Sequence, residues 1–293
     1  MKTIIIIGEN NLMMTAADLL NPQEMKLIGF GDSRKEAWNI FKEDGQIKDE
    51  IRELPVMPIE MVATQEPDCV LVATLDPEKN EAFKYMLYRS NYFGEVLFLC
   101  DLSAEFSVKT AVIRRLSYRL SDMGVEGAVA ELGCGKGDTS WQLNALMPDR
   151  RLYLFDTFAG FDARDIEKEA ELGSSSAKAG DQACKDPDKL LSRMVNPEQV
   201  VLKKGYFPDT ADIAEQEHFA FVYLDACLYN PTLRGLEFFF PRMSRGGVIL
   251  LPGYEDSAFN GVFQAVTDFE ARYGHLLMLP LGDPLGTIAI LRP

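Results

Sequence analysis

The sequence predicts an α/β fold with two domains, each built on a mostly parallel sheet with helices on its faces. Two observations predict it: short apolar runs alternate with helical patterns along the chain, and the alternation restarts after a helical stretch at residues 111–123. Strands that alternate with helices are typical of parallel sheets. A length of 293 residues also suits about two domains. We therefore expect a smaller Rossmann-like domain over residues 1–105 and a larger one over residues 106–293.

The first domain has apolar runs for four strands and amphipathic patterns for three helices. The strands are expected at residues 3–7, 26–30, 69–73 and 96–99, and the helices at residues 12–20, 34–41 and 78–89. Gly8 is the single glycine between the first strand and the first helix, so the three-glycine turn of dinucleotide-binding domains is missing. Asp32 follows the second strand, where a ribose-binding acid would lie. We leave open a nucleotide site, packing, substrate docking and dimerisation into a homo-oligomer.

The second domain has seven apolar runs with helical patterns between most of them. The strands are expected at residues 127–132, 151–155, 199–203, 220–224, 247–251, 276–279 and 287–291. Only "PLGDPLG" separates the last two, which predicts an antiparallel pair. Seven strands that close with such a hairpin are the pattern of the class I methyltransferase sheet.

Composition disfavours several classes of partner. The net charge of -15 disfavours a general affinity for nucleic acid or for an anionic membrane surface. No apolar run approaches the roughly 18 to 20 residues of a membrane helix, and the four isoleucines near the start suit a buried strand better than a signal peptide. The five cysteines form no Cys-x-x-Cys pair, which favours a reducing cytoplasm over a disulfide framework.

The stretch "ELGCGKG" carries the chemistry of the second domain. Gly133, Gly135 and Gly137 let the backbone turn sharply and approach a ligand without a Cβ in the way. Asp156 ends the next strand, 25 residues after Glu131. Adjacent parallel strands bring both acids to the crevice at the carboxyl ends of the strands, where open α/β sheets bind ligands.

The helix after this turn is expected at residues 141–146, with Asp138 and Thr139 as its capping residues.

Two kinds of ligand are candidates for this glycine turn. A dinucleotide would need the longer Gly-x-Gly-x-x-Gly spacing, which is absent. S-adenosylmethionine has an α-amino group and a sulfonium that suit Glu131, and a ribose diol that suits Asp156. Thr157 directly follows Asp156, and we expect it in the same site. Gly205 and Tyr206 follow the third strand, where they would shape the adenine pocket.

At this point the sequence resembles the macrocin O-methyltransferase (TylF/MycF) family over roughly residues 108–275. The resemblance rests on "GAVAELGCGKG", "LYLFDTFAGFDARDIEKE", "SSSAKAGD", "VLKKGYFPDTA" and "FVYLDACLYNPTLRGLEFFFPRMSRGGVIL". It implies transfer of a methyl group from S-adenosylmethionine to a hydroxyl of a small, sugar-containing substrate, assisted by a divalent metal. Such a metal would hold vicinal hydroxyls and acidify one of them.

The metal site that the resemblance implies is incomplete in this sequence. Where the family has Asp-Ala-Asp-Leu-Tyr, this chain has Asp225-Ala-Cys227-Leu-Tyr, and a strand-five acid is replaced by Gly253. Asp225 is the residue left to hold a metal, and Mg²⁺ is doubtful because it prefers several hard oxygen ligands. Glu255 and Asp256 would substitute only if their loop folds back.

Asp225 is also the predicted reaction-site residue. The two histidines, His218 and His275, lie before the fourth strand and after a helix, away from the crevice. We keep two rival hypotheses: a non-catalytic or weakly active relative that binds S-adenosylmethionine with a degraded metal site, and a nucleotide-dependent oxidoreductase that uses the first domain.

The polar segment at residues 161–196 is expected either as a lid or as a solvated loop. If it is a lid, the side chains that would contact substrate or cofactor are Ser174, Ser175, Ser176 and Lys178.

Overall fold

A computed structural model describes residues 1–33, 50–51, 53–105, 107–184, 186–256 and 258–293. The chain divides into two compact units, Met1–Val108 and Lys109–Pro293. The helix expected at residues 34–41 lies outside the described residues. In the described part of the chain, no helix is both long enough and apolar enough to span a membrane.

The first unit alternates strands and helices, as the apolar pattern predicts. Its described strands are β1 (Lys2–Gly8), β2 (Met25–Asp32), β3 (Glu50–Ile51), β4 (Leu54–Pro58), β5 (Cys69–Ala73) and β6 (Glu95–Phe98). Its described helices are α1 (Asn10–Leu19), α2 (Pro77–Arg89) and α3 (Leu99–Glu105), and α4 (Val108–Asp122) begins at its end. The sequence did not predict β3 or β4, since β3 is two residues long and β4 has a proline at its second and last positions.

The described strands of this unit form one sheet in the order β3-β4-β2-β1-β5-β6. Every pairing is parallel except β3 with β4. The four isoleucines of β1 are fully buried, with alternate members in the cores on the two sheet faces. This explains an uninterrupted apolar run, because a parallel strand covered by helices has no solvent face.

The second unit contains the strands β7 (Ala128–Leu132), β8 (Leu152–Asp156), β9 (Val200–Lys204), β10 (Phe219–Leu224), β11 (Met243–Leu251), β12 (Leu277–Pro280) and β13 (Ile288–Leu291). Its helices after α4 are α5 (Asp138–Leu146), α6 (Ala163–Leu172), α7 (Pro187–Ser192), α8 (Tyr229–Phe239) and α9 (Gly261–Tyr273).

The described strands of the second unit form a seven-stranded sheet in the order β12-β13-β11-β10-β7-β8-β9. The predicted terminal hairpin is confirmed, since β12 and β13 pair antiparallel and β13 pairs antiparallel with β11. The other pairings are parallel. The chain leaves β7 for β8 on one side and later returns to β10 on its other side. The carboxyl end of β7 is therefore a topological switch point, where open α/β sheets bind ligands.

Both faces of this sheet are buried at its central strands. Every residue of β7 and β10 is buried, and alternate side chains enter separate cores. An aromatic cluster fills one face, where the rings of Phe207 and Phe239 stack with centroids 5.8 Å apart. Packing on both faces holds the strand ends in place, so the groups that follow those ends have defined positions.

Candidate functional site

A cavity of about 350 Å³ lies at the carboxyl ends of β7, β8 and β10. Strand register brings the predicted acids to it. Leu132 pairs with Phe155 on one side and with Leu224 on the other. Asp156 and Asp225 follow those two partners directly, and Glu131 precedes Leu132. All three acids line the cavity.

The glycine turn between β7 and α5 forms the floor of this cavity. Gly133 has φ 90°, and a Cβ on it would collide with the carbonyl oxygen of Asp225. Gly135 has φ 50° and open space where a Cβ would be. Glycine adopts positive φ angles at low cost, and at Gly133 it also permits the close approach to the Asp225 backbone. The turn therefore leaves room for a ligand over Gly135.

Gly137 differs from its expected role. It does not line the cavity, and a Cβ on it would meet Leu190. It is the N-cap residue of α5, with φ 82° and no side-chain cap. The expected capping by Asp138 and Thr139 is therefore wrong: α5 begins at Asp138, three residues before the predicted start, and both residues lie inside its first turn.

Asp156 ties the end of β8 to the glycine turn. Its Oδ2 accepts a hydrogen bond from the Gly135 N–H at 2.8 Å, and its Oδ1 accepts one from the Phe158 N–H at 2.6 Å. A carboxylate offers about four lone-pair sites, so each oxygen retains a site for a ligand hydroxyl. Thr157 also lines the cavity, and its hydroxyl donates to the carbonyl of Gly160 at 2.7 Å.

Glu131 is the most deeply buried acid of the cavity, with 1% of its surface exposed. Burial raises its pKa well above the usual range, and the nearby charge of Asp225 adds to that shift. The hydroxyl of Ser140 donates a hydrogen bond to its carboxylate and the charge of Lys109 lies nearby; both effects act in the opposite direction. A cationic group of a ligand would favour the ionised form of this carboxyl.

Gly205 and Tyr206 follow β9 and also line the cavity. The N–H of Gly205 donates to the carbonyl of Asp156 at 2.9 Å. Tyr206 donates its phenol O–H to Asp165 Oδ1 at 2.8 Å, and the Arg164 guanidinium lies 3.5 Å from the centre of its ring. Burial and the Asp165 carboxylate raise the pKa of Tyr206, so it is a neutral donor near pH 7. The hydrogen bond to Asp165 and the contact with Arg164 together orient the Tyr206 ring.

Part of the cavity wall comes from the segment at residues 161–196. The residues that it contributes are Phe161, Asp162, Asp165 and Gln182. The serines and the lysine that we expected to make ligand contacts do not line the cavity.

The helix α6 of that segment is anchored by a buried carboxylate. Glu169 is 1% exposed, and its Oε1 accepts the N–H of Tyr229 at 2.6 Å. Tyr229 is the first residue of α8, and the backbone of Gly261, the first residue of α9, also packs against this oxygen. A carboxylate at two helix N-termini is stabilised by their dipoles.

Asp225 is a half-buried acid of the cavity on the β10 side. It follows β10, lines the cavity, and lies with its Oδ1 3.8 Å from Cys227 Sγ. Burial raises its pKa to about 6, while the charge of Lys109 lowers it in part. A carboxylate with such a pKa accepts protons near neutral pH more readily than a solvated one.

The residues at the expected metal position do not fit Mg²⁺. Cys227 has φ 60°, and burial raises the pKa of its thiol well above 9, so it is a poor ligand for a hard cation. Gly253 has no ligand atom. Asp256 does not line the cavity, and its Oδ1 accepts the N–H of Ala258 at 2.8 Å. In the described part of the chain, no three His, Cys, Asp or Glu side chains form a group that could hold a metal.

The two histidines lie away from the cavity. The backbone carbonyl of His218, just before β10, accepts the N–H of Ala128 at 2.8 Å, which places it at the amino end of the sheet. The His275 side chain is 96% exposed and lies 3.7 Å from Glu270.

Charge is the dominant feature of the cavity. Its described lining includes six acids, namely Glu131, Asp138, Asp156, Asp162, Asp165 and Asp225. It includes two lysines, Lys109 and Lys136. A pyrophosphate would be repelled here, whereas a cationic ligand would be attracted. The sequence did not predict that Lys109 lines the cavity, because the amphipathic pattern of its helix indicates only which face is apolar.

Comparison with known proteins identifies the family of this chain. The family model described as macrocin-O-methyltransferase (TylF) matches residues 110–282. The chain is 27% identical over 175 residues to the 8-demethyl-8-(2,3-dimethoxy-alpha-L-rhamnosyl)-tetracenomycin-C 4'-O-methyltransferase of Streptomyces olivaceus, a match that covers 56% of this chain and 64% of that relative. The structure of the O-methyltransferase NovP superposes with a TM-score of 0.52 at 18% identity, over 63% of this chain and 79% of that one. The match to more than half of the chain shows that it belongs to the macrocin-O-methyltransferase (TylF) family.

Proposed function

We propose that the second unit binds S-adenosylmethionine and transfers its methyl group to a hydroxyl of a small, sugar-containing molecule. The observation that carries this proposal is the acid-lined cavity at the switch point, where Glu131, Asp156 and Asp225 surround a glycine turn. Family membership supports the reaction class.

The residues present fit this cofactor. Asp156 has acceptor sites for the ribose hydroxyls, and Gly135 leaves the space above the turn free. Tyr206 and Gly205 would bound the adenine, and Glu131 would face the α-ammonium group. S-adenosylmethionine supplies an activated methyl group when bound, so the protein needs chiefly to hold an acceptor oxygen in line with it.

The acceptor class is inferred from the relative in Streptomyces olivaceus, whose printed name describes methylation of a rhamnosyl group. The match covers 64% of that protein, so the sugar acceptor remains a proposal for this chain. The segment at residues 161–196 contributes Asp162 and Gln182 to the cavity wall. Their polar side chains suit a hydroxylated ligand.

Asp225 is the proposed general base. It would accept the proton of the substrate hydroxyl as the oxygen bonds to the methyl carbon and the sulfonium becomes a neutral thioether. Because the available ligand atoms do not fit Mg²⁺, the proposed proton transfer to Asp225 involves no metal.

The experiment has two parts. Titration calorimetry of the full chain measures S-adenosylmethionine binding with Mg²⁺ and with EDTA, and we expect equal affinities. A panel of deoxysugar glycosides is then assayed for formation of S-adenosylhomocysteine. Absence of binding would reject the proposal. Binding without turnover on any acceptor would favour the non-catalytic relative, and turnover that requires Mg²⁺ would contradict the assignment of Asp225 as the base.

A further inference from the structure

Lys109 is a cation in a cavity whose described lining holds more acids than bases. It is the second residue of α4 and is half-buried. Its Nζ donates to the Thr139 hydroxyl at 3.1 Å and lies 5.8 Å from the centre of the Tyr223 ring. These contacts fix the ammonium group beside the first turn of α5, in the cavity that Glu131 also lines.

The charge of Lys109 acts on two acids of the cavity. Lys109 lowers the pKa of both Glu131 and Asp225, in each case against a larger effect of burial. Its hydrogen bond goes to a neutral hydroxyl, and within the described residues it forms no salt bridge. The ammonium group therefore has donors left for an anion, close to Glu131.

We propose that Lys109 binds the α-carboxylate of S-adenosylmethionine while Glu131 binds the α-ammonium group. This inference rests on the proposed function. The amino-acid end of the cofactor carries one charge of each sign, and the acids that attract its ammonium group repel its carboxylate. A cation placed beside the buried acid resolves that conflict. The other lysine of the lining, Lys136, is exposed and therefore offers a weaker, more screened interaction.

The pairing of opposite charges also sets selectivity. Decarboxylated S-adenosylmethionine retains the adenosine, the sulfonium and the ammonium group, and lacks only the carboxylate. It gains nothing from Lys109 and is repelled by it. The wild-type protein should therefore prefer the intact cofactor.

Titration calorimetry of wild type, Lys109→Gln and Lys109→Arg with both ligands tests the proposal. We expect Lys109→Gln to weaken S-adenosylmethionine binding by about 10-fold or more, since hydrogen bonds to charged groups are among the stronger ones. Binding of the decarboxylated ligand should be unchanged or tighter. Lys109→Arg should retain most of the affinity for the intact cofactor.

Arg115→Gln is the matched control, because it removes one positive charge from an exposed position of the same helix. It should change neither affinity. If Lys109→Gln lost affinity equally for both ligands, or for neither, the role of Lys109 would be overturned and the proposed function would stand. A wild-type protein that binds neither ligand would overturn the proposed function and this inference together. Retained binding of the decarboxylated ligand shows that the variant is folded.

Discussion

The two units present the same three positions at the switch points of their sheets, with different chemistry. Gly8 ends β1, and Gly133 directly follows β7. Asp32 and Asp156 end the neighbouring strands β2 and β8, and Thr74 and Asp225 follow β5 and β10 on the opposite side.

At the first switch point the short turn bonds to neighbouring parts of its own unit. The only residue between β1 and α1 is Glu9, whose N–H donates to the carbonyl of Ala73 at 3.0 Å. Its carboxylate forms an ion pair with Lys79. The buried hydroxyl of Thr74 accepts the N–H of Asp76 at 3.1 Å. In the second unit five residues, 133–137, separate β7 from α5 and leave a cavity. The sheet therefore determines where a ligand site can lie, and the length and chemistry of the turn determine whether a site forms there.

The largest expected effect is on kcat, and it compares Asp225 with Thr74, which occupies the same position in the first unit. Asp225→Asn should lower kcat by about 10²- to 10⁴-fold, because an amide cannot accept the substrate proton. Thr74→Val should leave kcat unchanged. In the wild type, kcat should fall as the pH drops below the Asp225 pKa of about 6. Steady-state kinetics from pH 5 to 8 measures both effects, and a variant that keeps its full rate would exclude Asp225 as the base.

The next effect compares the glycines. A Cβ at either Gly133 or Gly8 would collide with a neighbouring backbone carbonyl. Alanine at each position should therefore destabilise its own unit by about 2–4 kcal/mol. Only Gly133→Ala should also abolish S-adenosylmethionine binding. Thermal unfolding and calorimetry on both variants make the test, and loss of binding in Gly8→Ala would show that the first unit contributes to the site.

A smaller effect compares the acids that end the second strands. Asp156→Ala should weaken S-adenosylmethionine binding by about 10- to 100-fold, the range expected for hydrogen bonds to a charged acceptor. Asp32→Ala should leave the affinity unchanged. Asp156→Asn keeps one acceptor oxygen and should fall between wild type and alanine. Equal losses in Asp32→Ala and Asp156→Ala would contradict the contrast between the units.

The smallest effect concerns stability. The native-state pKa of Asp225 is raised from 3.8 to about 6, so its proton favours folding. That contribution is fully present below pH 4 and is lost as the pH rises through 6. At pH 8 the ionised carboxyl is destabilising, and Asp225→Asn should raise the free energy of unfolding by about 1–3 kcal/mol. The gain should vanish towards pH 4. Urea unfolding at pH 8, 6 and 4 measures it, and a constant difference would contradict the shifted pKa.

The sequence predicted most strands because their apolar runs are buried on both faces, as in β7 and β10. It missed β4, whose Pro55 and Pro58 are unusual inside strands. It placed Asp156 and Asp225 at the cavity through topology alone, since the ends of neighbouring parallel strands meet.

Two features of the site had no signal in the sequence. Lys109 precedes the glycine turn by 24 residues, and an amphipathic pattern does not report where a polar side chain points. The part played by α6 was also hidden, because Asp165 and Glu169 are charged residues that periodicity assigns to solvent, yet both are buried by tertiary hydrogen bonds.

The bend after β10 has a consequence for how this protein could change. Cys227 adopts φ 60°, a conformation that aspartate and asparagine tolerate several-fold more readily than most side chains. The backbone is thus better suited to an acid than to the thiol it now carries. A single replacement there would relax the main chain while it added a second hard oxygen donor beside Asp225. Cys227→Asp would therefore be accommodated without refolding of the bend.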